Sequence, residues 1–81
     1  MSGYGDVKRR RMKRLLKWLK TTKGVEVKQG GNHTILRCIQ NGAAIPVPSS
    51  HSVVNKHIVK DVMEWCIKNG ICTREEFDKR L

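Results

Sequence analysis

The sequence contains few acidic residues, and this shortage limits the chemistry that the chain can support. Seven Asp and Glu stand against 17 Lys and Arg in 81 residues, which gives a formal net charge of +10. Charge of one sign at this level destabilises a compact chain by self-repulsion, and a polyanionic partner relieves that cost. The middle of the chain is almost free of Asp and Glu, so neither paired carboxylates nor a Ser-His-Asp arrangement is predicted.

Cysteines and aromatic residues are also few, and long apolar runs are missing. The three cysteines have no C-x-x-C spacing, so we expect reduced thiols and no disulfide framework. Cys and His supply no closely spaced set of three or four ligands, so no metal and no cofactor are expected. No apolar run approaches the ~20 residues of a membrane span and no signal peptide is visible, so we expect a cytoplasmic protein with no membrane partner.

The length fits one small domain, with residues 1–6 as a disordered tail and residues 7–81 as the folded part. Apolar spacing predicts a first helix over residues 7–22, with Asp6 as its N-cap. A second helix is predicted over residues 54–69, followed by Gly70 in the position after the C-cap. A short third helix should follow the capping box Thr73-Arg-Glu-Glu76. The apolar stripe of the first helix is predicted to be Met12, Leu15, Leu16 and Leu19.

Three short strands are predicted between the two main helices, over residues 25–29, 32–40 and 43–48. Asn41-Gly42 is typical of a two-residue hairpin with a type I′ turn. Pro46 and Pro48 cannot donate to a β-ladder, so the third strand should be an edge strand with both proline nitrogens facing outward. The predicted fold is α+β, with a three-stranded antiparallel sheet and two helices on one face. The order α-β-β-β-α resembles that of double-stranded-RNA-binding domains.

The first predicted helix carries most of the excess positive charge. No acidic residue lies between positions 7 and 25, so its cations cannot form i, i+4 ion pairs and must repel one another. A run of charge is often only a solvated helix face, but the missing counter-charges favour phosphate binding. The residues of this segment predicted to bind RNA are Lys8, Arg9, Arg10, Arg11, Lys13, Arg14, Lys17 and Lys20.

A glycine-rich turn, Gln29-Gly-Gly-Asn-His33, precedes the second strand. Its two glycines permit a tight turn and let a phosphate approach the backbone N–H groups. His33 opens the strand and carries the side chain best suited to proton transfer near neutrality. By itself, an exposed histidine beside a hairpin is the plainer interpretation. His51, in the loop after the third strand, would either contact RNA or be merely exposed.

Four segments in order carry a family resemblance: Lys13-Arg-Leu-Leu-Lys-Trp-Leu19, Gly31-Asn-His33, Ile45-Pro-Val-Pro-Ser-Ser-His51 and Asn69-Gly-Ile71, followed by Thr73-Arg-Glu-Glu-Phe77. Together they resemble the HicA toxins, the YcfA-type mRNA interferases of HicAB toxin–antitoxin pairs, over about four-fifths of the chain. Two features depart from the family pattern. Thr34 stands where a second histidine is frequent, and the second helix is about a turn longer before the Gly-Ile step.

The resemblance implies a double-stranded-RNA-binding-like fold and metal-independent cleavage of mRNA with His33 as the catalytic histidine. It also implies inhibition by a HicB-like antitoxin that covers the histidine face. In such a reaction His33 takes the 2′-OH proton, and the amides of Gly30 and Gly31 with Lys28 or Arg37 stabilise the phosphorane. Water or His51 would protonate the leaving oxygen.

Two alternatives stay open from the sequence. A non-catalytic RNA-binding module with the same fold would need the basic helix but no histidine at the glycine turn. A DNA-binding protein is disfavoured, because no helix combines helix-turn-helix spacing with exposed Asn, Gln or Arg at its start.

Overall fold

The computed structural model describes residues 4–22 and 24–81, which form three helices and two antiparallel sheets of an α+β fold. The larger sheet has three strands in the order β2-β3-β4, and the smaller sheet pairs β1 with β5. None of the described helices is long and apolar enough to cross a membrane. In chain order the elements are β1 (Val7–Lys8), α1 (Arg9–Thr21), β2 (Val25–Gly30), β3 (His33–Cys38), β4 (Ala44–Pro48), β5 (Val53–Val54), α2 (Lys56–Lys68) and α3 (Arg74–Arg80).

Only one face of the three-stranded sheet is buried. Along β3, Thr34, Leu36 and Cys38 alternate into the core, and Val25 and Val47 join them from the neighbouring strands. The helices cover this face with a single apolar cluster. Its helical members are Met12, Leu15, Leu16 and Leu19 from α1, as the spacing predicted, Val59, Val62, Met63, Trp65 and Cys66 from α2, and Phe77 from α3. The opposite face exposes Glu26, Lys28, His33 and Arg37.

The two hairpin turns of this sheet differ from each other. β2 and β3 are joined by the two residues Gly31-Asn32, and φ is +42° at Gly31, where glycine meets no steric penalty. The predicted type I′ turn at Asn41-Gly42 is wrong. That turn needs positive φ at both central residues, but of the two only Gly42 has one. The N–H of Cys38 instead donates to the carbonyl of Ala43 at 2.7 Å, which closes a four-residue loop.

The edge position of β4, the third predicted strand, is confirmed. β3 is central, so β2 and β4 are both edge strands. The Ser49 N–H donates to the Asn32 carbonyl at 2.9 Å, which shows that odd-numbered residues of β4 and its extension bond to β3. Pro46 and Pro48 therefore turn their nitrogens away from the sheet.

The segment before α1 departs most from the prediction. β1 precedes the helix, so α1 begins two residues later than the spacing suggested. Asp6 does not cap α1: its carboxylate accepts a hydrogen bond from the N–H of Lys56, in the first turn of α2, at 2.8 Å. Tyr4 and Asp6 were both placed in a disordered tail, but Tyr4 packs its ring on Phe77 of α3. Residues 1–3 lie outside the described residues.

The C-terminus of α2 and the N-terminus of α3 follow the sequence signals, whereas α2 begins at Lys56, two residues later than predicted, because Val54 belongs to β5. Gly70 has φ of +68°, and the N–H of Ile71 donates to the carbonyl of Cys66 at 2.8 Å, as in a Schellman motif. Thr73 and Glu76 form both hydrogen bonds of the predicted capping box. These two signals are local, which explains why the sequence alone located them.

Candidate nucleic-acid interface

A basic cleft lies between α1 and the end of the sheet at which β2 turns into β3. Its volume is about 550 Å³, and no acidic side chain of the described residues lines it. Six cations of α1 form one wall: Arg9, Arg10, Lys13, Arg14, Lys17 and Lys20. This cavity is termed the basic cleft below.

The helical repeat gathers these cations on one side of α1. Arg9, Lys13, Lys17 and Lys20 follow one another at intervals of three or four residues, so their side chains form a row along the helix. The row runs beside the buried stripe of α1, which fixes the orientation of the helix against the core. Like charges at this spacing repel each other, so an anion bound along the row would lower the energy of the folded protein.

Residues of the three strands, together with Ser49 just after β4, form the floor of the basic cleft. Gln29, Thr34 and Ser49 supply an amide and two hydroxyl groups, among the apolar side chains of Val27 and Pro48. Gln29 pairs in register with Thr34, so the two side chains lie together on the helix face of the sheet. Thr34 is only 1 % exposed, which makes it the one buried polar side chain of the described core. Cations along one wall and hydrogen-bonding groups below suit a ligand that carries both phosphates and hydroxyls.

His33 lies at the rim of the basic cleft and outside its lining. It pairs in register with Pro48, which does line the cleft, so the backbone of His33 borders the cavity. Because neighbouring strand residues point to opposite faces, its imidazole is on the open face while Thr34 is on the helix face. The imidazole is exposed, and no other group of the described residues hydrogen-bonds to it.

The open face around His33 carries three more of the predicted site residues. Lys28 is exposed there, and Gly30 lies directly opposite His33 at the end of the ladder. Arg37 is already engaged, since its guanidinium forms an ion pair with Glu26 at 3.1 Å, with both side chains about half exposed. Such an exposed pair contributes little stability but does hold the guanidinium on this face.

The remaining predicted residues are dispersed. Lys8 is exposed in β1, Gly31 occupies the β2–β3 turn, and His51 is exposed in the loop between β4 and β5. Arg11 turns away from the cleft, and its Nε donates to the carbonyl of Leu81 at 3.1 Å. Of the residues predicted to bind RNA, the structure thus gathers six in the basic cleft and leaves seven elsewhere.

Sequence reasoning missed the polar floor: Gln29, Thr34 and Ser49. Two of these residues could have been found from the sequence. A two-residue turn at Gly31-Asn32 pairs Gln29 with Thr34, and residues that pair directly across two strands have their side chains on the same face of the sheet. The pairing of Ser49 with β3 depends on the length of the β3–β4 loop, which the sequence predicted wrongly.

Two of the three thiols, Cys66 and Cys72, are poorly suited to nucleophilic chemistry. Burial raises the pKa of the Cys66 thiol to about 12, and burial also raises the pKa of Cys72. A thiol that stays protonated at neutral pH is a poor nucleophile and a poor metal ligand. Among residues 4–22 and 24–81, no cluster of three or more His, Cys, Asp or Glu is placed to hold a metal ion.

Comparison with known proteins gives no relative: no family model, no curated protein and no solved structure matches the chain. The similarity to HicA toxins therefore stays a prediction from the sequence. Function has to be inferred from the basic cleft and from His33.

Proposed function

We propose that this protein is an endoribonuclease that binds RNA in the basic cleft and cleaves it at His33 without a metal ion. The observation that carries the proposal is the row of cations on α1, which has no acidic partner among the described residues and lines the same cleft as Thr34, the neighbour of His33 in β3. The element order α1-β2-β3-β4-α2, with the helices on one sheet face, supports a fold of the double-stranded-RNA-binding type.

Binding comes from phosphate neutralisation. Each Lys or Arg that contacts a phosphate releases condensed counterions, and this release supplies most of the affinity for a polyanion. The six cations of the basic cleft concentrate positive potential in one cavity, which attracts a polyanion and raises its rate of association. Gln29, Thr34 and Ser49 on the floor can accept or donate hydrogen bonds to ribose hydroxyls, the groups that distinguish RNA from DNA.

Cleavage requires the RNA to pass from the basic cleft around the end of the sheet to the open face. The turn at Gly31-Asn32 is the shortest route, because it joins the strands whose residues line both places. His33 then removes the 2′-OH proton, and the oxygen attacks the adjacent phosphorus. The P–O5′ bond breaks as the 2′,3′-cyclic phosphate forms, and water or His51 protonates the leaving 5′-oxygen. Lys28 and the turn amide of Gly31 stabilise the added negative charge. The N–H of Gly30 is less available to the phosphate, because it points toward β3 in the ladder.

The nucleophile belongs to the RNA itself, so the protein has to supply only a base, positive charge and orientation. A sheet with few carboxylates can meet this requirement. The three-stranded sheet bears one acidic residue, Glu26, and this residue is already paired with Arg37. By the family resemblance, the biological role is that of a toxin acting on mRNA in the cytoplasm. A HicB-like antitoxin would inhibit it by covering the open face around His33.

A non-catalytic RNA-binding module is the second candidate, favoured by one specific observation. The imidazole of His33 has no hydrogen-bond partner among the described residues that would fix its orientation, and catalytic histidines usually have one. In this alternative the basic cleft binds RNA in the same way, and His33 is an exposed residue beside a turn.

Incubation with end-labelled RNA in the presence of EDTA distinguishes the two candidates. The nuclease should produce fragments with 2′,3′-cyclic phosphate ends at the same rate with and without the chelator. Binding without cleavage at any enzyme concentration would establish the module instead. Full loss of cleavage in EDTA, restored by a divalent ion, would overturn the metal-independent mechanism.

A further inference from the structure

The two edge strands of the main sheet differ in their ability to pair with another strand. On β4, Pro46 and Pro48 turn outward and have no N–H to donate, so this edge is blocked. On β2, Gly24 accepts a hydrogen bond from Ile39 at 2.9 Å, so even-numbered residues bond to β3 and odd-numbered residues point outward. β2 is therefore the open edge of this sheet.

Two residues of β2 with outward-facing backbone groups, Val27 and Gln29, also line the basic cleft. Val25 is occupied, since its N–H donates to the Thr22 carbonyl at 3.4 Å. The N–H groups of Val27 and Gln29 have no such partner within the described residues, and both residues line the cleft. An edge with free N–H and C=O groups is a template for β-strand addition by an extended peptide.

The position of the β2 edge and the cations of α1 near it indicate which kind of peptide this edge would bind. A strand added beside β2 would lie about 4.8 Å from it, with alternate side chains toward α1. There it would meet the cationic row, in which Lys13 and Lys17 have no acidic neighbour. The 13 residues of α1 span ~20 Å and the six of β2 about the same length, so the row and the strand are matched in length.

We propose that the β2 edge binds an extended acidic segment of a partner protein as an additional strand, with Asp or Glu at alternate positions facing α1. Backbone hydrogen bonds to Val27 and Gln29 fix the register, and the carboxylates pair with the cations of the basic cleft. The segment and RNA use the same cations, so each excludes the other. This inference does not depend on cleavage by His33.

The probe is an acetylated, amidated heptapeptide of alternating glutamate and valine, titrated against the full chain. On binding, amide exchange should slow at Val27 and Gln29 but not at Lys28, whose N–H already faces β3. Protection spread evenly over β2, or none, would contradict strand addition. If the peptide does not bind while a heptanucleotide RNA does, the cleft serves nucleic acid only and the proposal is wrong.

Two methylated peptides provide a control at constant charge. In one, every glutamate amide is N-methylated, and in the other every valine amide. Only one set of amides can face β2, so one peptide should lose about tenfold or more in affinity while the other retains most of it. Equal affinity of the two would show that the cleft attracts any polyanion, which overturns the proposal.

A matched pair of variants tests the protein side. Gln29→Pro removes one outward N–H, whereas Gln29→Ala removes the same side chain and retains the N–H. The proline variant should bind the peptide about tenfold more weakly than the alanine variant. Equal affinity of two folded variants would exclude the Gln29 amide as a donor. Should the proline variant not fold, the methylated peptides still decide the question.

Discussion

The two faces of the three-stranded sheet carry different chemistry, although consecutive residues build them. The helix face meets the six cations of the basic cleft and contributes Gln29 and Thr34 to its floor. The open face bears His33 and Lys28, with an ion pair between Arg37 and Glu26. The proposed function therefore assigns RNA binding to one face of the sheet and RNA cleavage to the other.

The separation comes from strand geometry. Thr34 and His33 are adjacent in sequence, yet one is buried toward α1 and the other is exposed on the opposite side. A substitution on one face should therefore change one property and spare the other. Loss of both properties from a single substitution on either face would mean that the faces form one site.

The largest effect is expected for His33→Ala. Removal of a general base should lower the cleavage rate at saturating RNA by about 10²- to 10⁴-fold. RNA affinity should stay unchanged, because the imidazole lies outside the basic cleft. The free energy of unfolding should change by less than about 0.5 kcal/mol, as at most exposed positions. Single-turnover cleavage, RNA titration and urea unfolding measure the three quantities.

The two other histidines are the matched controls for His33. His57→Ala, on the exposed side of α2, should leave cleavage unchanged. His51→Ala should lower the rate only if His51 protonates the leaving oxygen. If the His33 variant cleaved RNA at the same rate as the wild type, the proposal of a nuclease that acts through His33 would be wrong.

The complementary change, Lys13→Gln with Lys17→Gln, acts on the cleft face. The log–log slope of affinity against salt should become shallower by ~1.4, since each phosphate contact to single-stranded RNA contributes about 0.7. KM should rise, while the rate at saturating RNA stays close to that of the wild type. Lys56→Gln with Lys60→Gln on α2 removes the same charge from residues outside the cleft. Equal effects of the two pairs would show that net charge alone attracts the RNA.

The sequence predicted those features of the fold that depend on neighbouring residues. The apolar stripe of α1, the Schellman end at Gly70 and the capping box at Thr73 are each specified within one or two turns of chain. The edge position of β4 was also predictable, because Pro46 and Pro48 are excluded from a central strand by their missing N–H.

Features that depend on distant pairing could not be predicted in this way. β1 and β5 have two residues each, and each is a strand only because it pairs with the other. Two residues are too few to show the alternating pattern of a strand in the sequence. The same applies to Asp6, whose hydrogen-bond partner Lys56 is 50 residues away. For the candidate site, the cations of α1 were predicted from charge alone, but their separation from His33 follows from the strand register.

Asp6→Ala tests how much the contact between the N-terminal segment and α2 stabilises the fold. The Asp6 carboxylate satisfies a backbone N–H at the start of α2, and loss of such a cap costs about 1 kcal/mol. Asp6→Asn keeps an acceptor oxygen and should cost less than half as much. Urea unfolding of the two variants gives the comparison. A stability change equal to that of Asp61→Ala, on the exposed side of α2, would show that the contact contributes nothing.

The smallest effect concerns Tyr4, which lies apart from both faces of the main sheet. Its hydroxyl donates to the carboxylate of Asp78, its ring packs edge-on against Phe77, and the guanidinium of Arg74 lies 5.6 Å from the ring centroid. Burial, and then the hydrogen bond to Asp78, raise the pKa of Tyr4 from 10.0 to about 12.

Tyr4 is the chain's one tyrosine, so tyrosinate absorbance reports its pKa directly. Folding favours the neutral phenol, so the stability it contributes is complete below pH 10 and is lost as the pH rises toward 12. Asp78→Ala removes the hydrogen bond and the negative charge but leaves most of the burial, so the midpoint should fall only part of the way toward 10. A wild-type midpoint at the value for unfolded chain would mean that Tyr4 is not packed on α3. Such a result would leave the contrast between the two sheet faces intact, because neither His33 nor the basic cleft contacts Tyr4.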